Sequence, residues 1–273
     1  MIDITKAKKA FKEYIKNYDI NNPKVKLKIA HIERTANIAR KTAESLNLKK
    51  EDIELAELIG LLHDIGRFEQ VKRYNTFVDH VSENHAELGV KILFEENLIR
   101  KFIENDKYDR IIKLAILNHN KDKKDMTKEI TKKEKLHIEL IRDSDKTDII
   151  YLLTYEDKKA AWEKEDLSDE VFTKEIYREF IEDKNIFYPN MKTCADRLIG
   201  HFAFVYDFNY EYGLKTIYEN EYYDKIYNRF DFNKTETNQM FKNVYDVTMN
   251  YIKGRLEKNN VKYSKSKQRV YTV

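Results

Sequence analysis

An all-α fold is what this sequence predicts, and three observations carry that expectation. Apolar residues recur at three- and four-residue spacing along nearly the whole chain, the period of a helix with one buried face. The 273 residues include only 2 Pro and 6 Gly, too few for the many tight turns of an all-β protein. No alternating apolar–polar run is long enough to demand a strand. The length fits one large domain or two small ones.

The expected elements follow in order. Residues 4–19 make a first amphipathic helix. Asn21-Asn22-Pro23 breaks it and opens a second helix over about 24–47, since proline suits a first helical turn, where its missing N–H is not needed. Ile32, Ala36, Ala39, Ala43 and Leu46 form its buried stripe. Residues 51–64 form a third, with Ile53, Ala56, Ile59 and either Leu62 or His63 facing in, and Gly66 as the expected stop. A fourth runs from Ser82, as N-cap, to Glu95. Residues 98–104 and 107–119 add two more, the polar stretch NKDKKDMTKEI at 120–130 reads as a loop, and 132–155 as a long helix.

Beyond about 156 the composition changes. From Trp162 onward the chain is rich in Tyr and Phe, most densely in FAFVYDFNYEYG at 202–213. Helices are expected over about 168–183, 190–206, 214–229 and 235–258, followed by a frayed basic tail, KYSKSKQRVYTV. The organisation this suggests is a module over 1–155 and an aromatic-rich helical extension over 156–273 packed on it. The bland reading of the aromatics, core packing between helices, outweighs base stacking at a cleft. Asp196, Arg197 and His201 are the residues of the extension expected to reach toward such a cleft.

Charge excludes several functions. With 51 basic and 48 acidic residues the net charge is +3, which gives no case for a nucleic-acid or membrane partner. The longest apolar stretches, such as 149–153, fall far short of the roughly 20 residues that span a bilayer. The N-terminal segment is charged and amphipathic, unlike a signal peptide. The single cysteine, Cys194, fits a reducing compartment, so a cytoplasmic protein is expected.

Five of the 7 histidines fall between positions 31 and 119. His31, His63, His85 and His119 each sit in apolar, helix-forming surroundings. Any one alone is an ordinary half-buried imidazole. Their order is more telling: His31, His63-Asp64, His85, His119, then the cluster 142–148 with Asp143, Asp145 and Asp148. Different helices can project such groups into one pocket. Imidazole with carboxylate suits Mn, Fe, Co, Ni or Zn better than a pure Ca or Mg site, with Mg admissible.

At this point the segments HIERTANIA, LLHDIGRFE, HAELG, ILNH and LIRDSDKTD resemble the HD-domain metal-dependent phosphohydrolase superfamily, over about residues 25–155. The resemblance implies an HD-type helical bundle holding one or two divalent ions. It implies a first metal at His31, His63, Asp64 and Asp145, and a second at His85 and His119, with Asp64 bridging. The family's late aspartate directly precedes a basic residue, which selects Asp145, before Lys146; Asp148 is left to orient a ligand. The stretch NHNKDKKD departs from the HHE and GYP motifs of the cyclic-di-GMP hydrolases.

Further roles are expected around this set. Arg67 and Lys146 adjoin ligands and would neutralise phosphate charge, Arg67 as a bidentate clamp. His80 would act as general acid on a loop. Glu33, Glu57, Glu69 or Asp148 would fix imidazole tautomers, and Arg34 would face the cleft. His137 and His201 have no ligand-like context. The expected activity is hydrolysis of a small phosphorylated substrate, in the first instance a nucleotide, by a metal-activated water; an oligomer is compatible. The alternatives are a di-iron oxygenase of the HD type and a non-catalytic nucleotide-binding module.

Overall fold

The computed structural model describes residues 2–122, 125–158, 164–183, 186 and 188–269, with side chains to 258; Trp162 lies outside them. Among the described residues there are helices and turns and no strand. The chain divides into two compact units, 1–148 and 149–273. The division falls inside one helix, Lys132–Tyr155, rather than in a linker.

The first unit contains α1 (Ile4–Ile15), α2 (Pro23–Ser45), α3 (Lys50–Leu62), α4 (Gly66–Tyr74), α5 (His85–Val90), α6 (Ile99–Phe102), α7 (Asp109–Asn118) and most of α8 (Lys132–Tyr155). Asn22 caps α2 through its side chain, with Pro23 in the first turn as expected. Asn47, Asn75 and Asn97 take left-handed backbone conformations (φ between 50° and 57°), the role asparagine tolerates best after glycine. The core is a continuous set of Leu, Ile and Phe, among them Ile32, Leu58, Leu62, Phe68, Ile112 and Ile141.

Two expectations are corrected here. Gly66 does not stop a helix; it opens α4, which the sequence reading missed, after a short turn over 63–65. Asn84, not Ser82, caps α5, accepting from the N–H groups of Ala86 and Glu87. Ser82 follows the 3-10 turn Asp79–Val81 and donates to the Val78 carbonyl. After Val90 the backbone widens into a π turn over Lys91–Glu95.

The second unit contains α9 (Lys174–Arg178), continued by a π turn over Glu179–Asp183, then α10 (Cys194–Ala203), α11 (Glu211–Glu219), α12 (Tyr222–Tyr227) and α13 (Thr235–Arg269). The expected helix 214–229 is thus broken at Asn220–Glu221, where Glu221 has φ 55°. The last helix continues to Arg269, past its expected end at 258. The aromatics are mainly core. Phe241 packs within 5.1–6.4 Å, centre to centre, of Tyr227, Phe202, Phe232, Phe172 and Phe230.

Candidate metal centre

Two close backbone approaches set the geometry of the centre. A Cβ at Gly60 would lie 2.6 Å from Ala36 Cα, so α2 and α3 touch backbone to backbone only because glycine stands there. That contact brings the His31 and His63 rings to 5.3 Å, centre to centre. A Cβ at Gly66 would lie 2.3 Å from the His85 carbonyl oxygen. The start of α4 therefore lies against α5, and His85 Nε2 comes within 3.3 Å of Asp64 Oδ1.

The cluster closes from α7 and α8. His119 caps α7, and its Nε2 is 3.0 Å from His85 Nε2. Asp145 Oδ1, from α8, lies 3.1 Å from His31 Nε2 and 3.6 Å from His63 Nε2. His31, His63, Asp64, His85 and His119 are each no more than 3% exposed. Three triads, His31–His63–Asp64, His63–His119–Asp145 and Asp64–His85–His119, each keep their ligand atoms within 4.8 Å of one another.

All four imidazoles are oriented the same way. Each turns Nδ1 outward to an oxygen: His31 to Asp148 (2.7 Å), His63 to the Gly60 carbonyl (2.8 Å), His85 to Asp79 (2.7 Å) and His119 to the Ile116 carbonyl (2.7 Å). An Nδ1–H donated outward leaves a lone pair on the inward Nε2. His31 Nε2, His63 Nε2 and Asp64 Oδ1 are buried without a hydrogen-bond partner, which a native core rarely tolerates. With both Nδ1 atoms donating, His85 and His119 oppose two lone pairs at 3.0 Å, an arrangement that a cation relieves. About 3 Å is also the separation of adjacent ligands held roughly 2.1 Å from one ion. The residues fit one or two divalent ions with mixed imidazole and carboxylate donors.

The protonation state of Asp64, Asp145, His85 and His119 suits the same use, and that of His31 does not. Burial pushes Asp64 up, but Lys28, His63, His31 and Arg67 outweigh it and hold the carboxyl well below its ordinary range. Burial likewise opposes Asp145, which His31 and His63 hold well down. Burial lowers His119, with the charges of His85 and His63, to about 3. His85 is lowered by burial and Arg67. Burial and Lys28 push His31 down, yet Asp145, Asp148 and Asp64 together raise it to about 10, so in the metal-free fold His31 holds a proton that a cation at its Nε2 would have to displace.

Outer contacts brace the side chains of the cluster. Arg34 pairs with Asp148 (Nε–Oδ1 2.6 Å), completing a chain Arg34–Asp148–His31. Arg142, 4% exposed, donates through Nη1 to the carbonyls of Asn118, His119 and Lys121 and so fixes the end of α7 that carries His119. Gln70 donates to Asp79, Ser82 and the Glu83 carbonyl, holding the turn that orients His85.

The six expected metal ligands are therefore brought together, and Asp148 lies behind them against His31 Nδ1. Other expected residues are placed otherwise. Arg67 Nε stands 3.6 Å from Asp64 Oδ1, but its Nη1 is spent on Asp79, Gln70 and the Phe77 carbonyl. Lys146 is buried beside Asp145. His80 is exposed on the Asp79–Val81 turn and is not brought into the cluster; its neighbour Asp79 is. Glu33 is exposed, Glu57 pairs with Lys8, and Glu69 pairs with Arg73, so none of these three fixes an imidazole. In the second unit Asp196 is fully buried and closes the capping box of α10 with Thr193, so it does not reach outward. Lys28, Asp79 and Arg142 were missed. Asp79 lies in an irregular stretch without periodicity, and Lys28 resembles any lysine on a solvated helix face.

Comparison with known proteins agrees with this geometry. No curated protein and no solved structure matches the chain significantly. Residues 29–150 match the HD domain family, an interval that starts just before His31 and ends just after Asp148. That family is mostly one of metal-dependent phosphohydrolases with an all-α fold. The helical first unit, its inward-facing His and Asp cluster and the matched interval coincide: residues 29–150 of this chain are similar to an HD domain.

Proposed function

We propose that this protein is a metal-dependent phosphohydrolase, cleaving a phosphate ester or phosphoanhydride of a small molecule, in the first instance a nucleotide, in the cytoplasm. The observation that carries the reading is the inward array of imidazole Nε2 and aspartate oxygen atoms, three of them buried without a hydrogen-bond partner. Bound divalent ions would supply charge neutralisation and an activated water. His31, His63, His85, His119, Asp64 and Asp145 would hold them, with Asp64 shared.

The rest is the chain's own work. The outward Nδ1 bonds keep each imidazole in one tautomer and one orientation, so no reorganisation is needed at the moment of reaction. Asp64 and Asp145 stay ionised and His85 and His119 stay neutral at pH 7, the forms that bind cations. Arg67 and Lys146 are the proposed counter-charges for an anionic substrate, Arg67 through the side of its guanidinium nearest Asp64. His80 is assigned no step.

The test is product release from a panel of nucleotides and a generic phosphodiester, with protein loaded in turn with Mn, Fe, Co, Ni, Zn and Mg. The Asp64→Ala protein serves as the blank. Metal-dependent release that vanishes in the blank supports the reading and ranks the substrates. Silence across the panel with two equivalents of metal bound would overturn it in favour of an oxygenase or a binding module.

A further inference from the structure

Lys28 stands one turn before His31 on α2, so its stem runs beside the His31 ring. Its ammonium lies 2.6 Å from Asp64 Oδ2 and 5.2 Å from the centre of the Phe77 ring, and the side chain is only 12% exposed. A desolvated ammonium is costly unless its donors are used. Among the described residues Asp64 is the acceptor Lys28 meets, which leaves two N–H donors without a protein oxygen. The neighbouring guanidiniums are differently placed. Arg34 is committed to Asp148, and Arg67 Nη1 is shared among Gln70, Asp79 and the Phe77 carbonyl.

The partner of Lys28 is also telling. Asp64 Oδ2 lies 3.5 Å from His31 Nε2 and 3.8 Å from His63 Nε2. The ammonium therefore occupies the carboxylate oxygen that a cation between those two imidazoles would need. Two cations on one oxygen repel in a weakly screened site. The four-carbon stem can swing at the cost of rotamers alone, and the Phe77 ring offers it a resting face.

We propose that Lys28 is an exchangeable counter-cation. It neutralises Asp64 while the centre is free of metal. In the loaded centre it transfers its ammonium to an oxygen of the substrate's phosphoryl group, or of the inorganic phosphate released. The substrate half of this assignment rests on the phosphohydrolase reading; the competition with metal does not.

One substitution then has two opposite effects. Lys28→Met removes the competitor for Asp64 and the contact to phosphate together. Mn(II) binding would be measured by calorimetry on the full chain, wild type and variant, followed by inorganic phosphate binding to the Mn-loaded proteins. The expected result is Mn(II) bound roughly tenfold tighter and phosphate roughly tenfold weaker, with Lys28→Arg recovering much of the phosphate affinity. Removing one partner of a buried ion pair destabilises a fold, so circular dichroism and a thermal melt would establish that each variant is folded at the assay temperature; Lys28→Gln provides a second neutral variant. Unchanged or weaker Mn(II) binding in the neutral variants would make Lys28 a brace for Asp64 and overturn the proposal. So would unchanged phosphate binding. If the wild type hydrolyses no phosphate ester while both shifts appear, the hydrolase reading falls and Lys28 keeps its role as an anion contact. Asp64-dependent hydrolysis with neither shift would remove Lys28 alone.

Discussion

Asp64 in the first unit and Asp196 in the second are both buried carboxylates, at 2% and 0% exposure, and they are treated in opposite ways. Asp196 accepts from Thr173 N (2.7 Å), Thr173 Oγ1 (2.6 Å), Lys192 N (2.8 Å) and Thr193 N (3.1 Å), which ties the start of α10 to the segment before α9. It also closes a capping box with Thr193. Every donor it meets belongs to the local fold. Asp64 instead meets one protein donor, Lys28 Nζ at 2.6 Å from Oδ2, leaves Oδ1 without a hydrogen bond and faces three imidazole nitrogens at 3.3–3.8 Å from its two oxygens, besides His31 at 3.5 Å. A saturated buried carboxylate is a structural staple. One left short among lone pairs is poised for something the chain does not supply.

The sharpest break of this comparison is a pair of substitutions. Asp64→Ala is expected to abolish metal uptake and turnover while the helical content of the metal-free protein stays close to wild type. Metal analysis, an activity assay and circular dichroism on one preparation decide it; full activity without bound metal would sink the site. Asp196→Ala should do the reverse. Losing a buried acceptor with several bonds is worth about 2–4 kcal/mol, read by urea unfolding. Metal stoichiometry of the folded protein should not change.

A smaller effect sharpens the comparison within the centre. Asp148→Asn keeps the shape beside His31 and removes the charge that holds both His31 Nδ1 and Arg34. Outer partners of metal-bound histidines are worth roughly 10–100-fold in metal affinity, so a loss of about tenfold is expected for the first metal. A competition titration against a chelator would measure it. An unchanged affinity would reduce Asp148 to a helix-to-helix tie.

Much of this was legible because the proposed ligands break a pattern. His31, His63 and His119 stand at apolar positions of periodic helices, where a polar side chain needs a reason, and Asp145 and Asp148 are one turn apart in a cluster of acids. The braces were less visible. Asp79 lies on a three-residue turn, and Arg142 acts on a helix end 24 residues away in sequence. Gly66 was misread because glycine commonly ends helices. Here it is required by the 2.3 Å approach that a side chain would make to the His85 carbonyl, a demand that exists only once α4 meets α5. In the second unit the aromatics announced a core, but the break at Glu221, a left-handed residue without glycine or asparagine chemistry, carried no signal.

The smallest expected effect belongs to His201, on α10 four residues after Arg197. Burial and the charge of Arg197 push its pKa down to about 4, from an ordinary value of 6.5. The group is therefore neutral in the fold, and between about pH 6.5 and 4 the unfolded chain takes up a proton that the folded chain refuses. Stability rises with pH wherever the unfolded state binds more protons. The contribution of His201 is thus fully present above its unfolded pKa and is lost as pH drops through that window. His201→Phe removes the titrating ring and keeps an aromatic beside Phe204, whose ring centre lies 5.3 Å away. Thermal melts of wild type and variant at pH 7.5 and 4.5 isolate the term. The drop in midpoint between the two pH values should be smaller in the variant, since the remaining titrating groups are common to both proteins. An equal drop would mean that His201 contributes nothing and that the acid destabilisation comes from the other perturbed groups, His137 and the paired carboxylates among them.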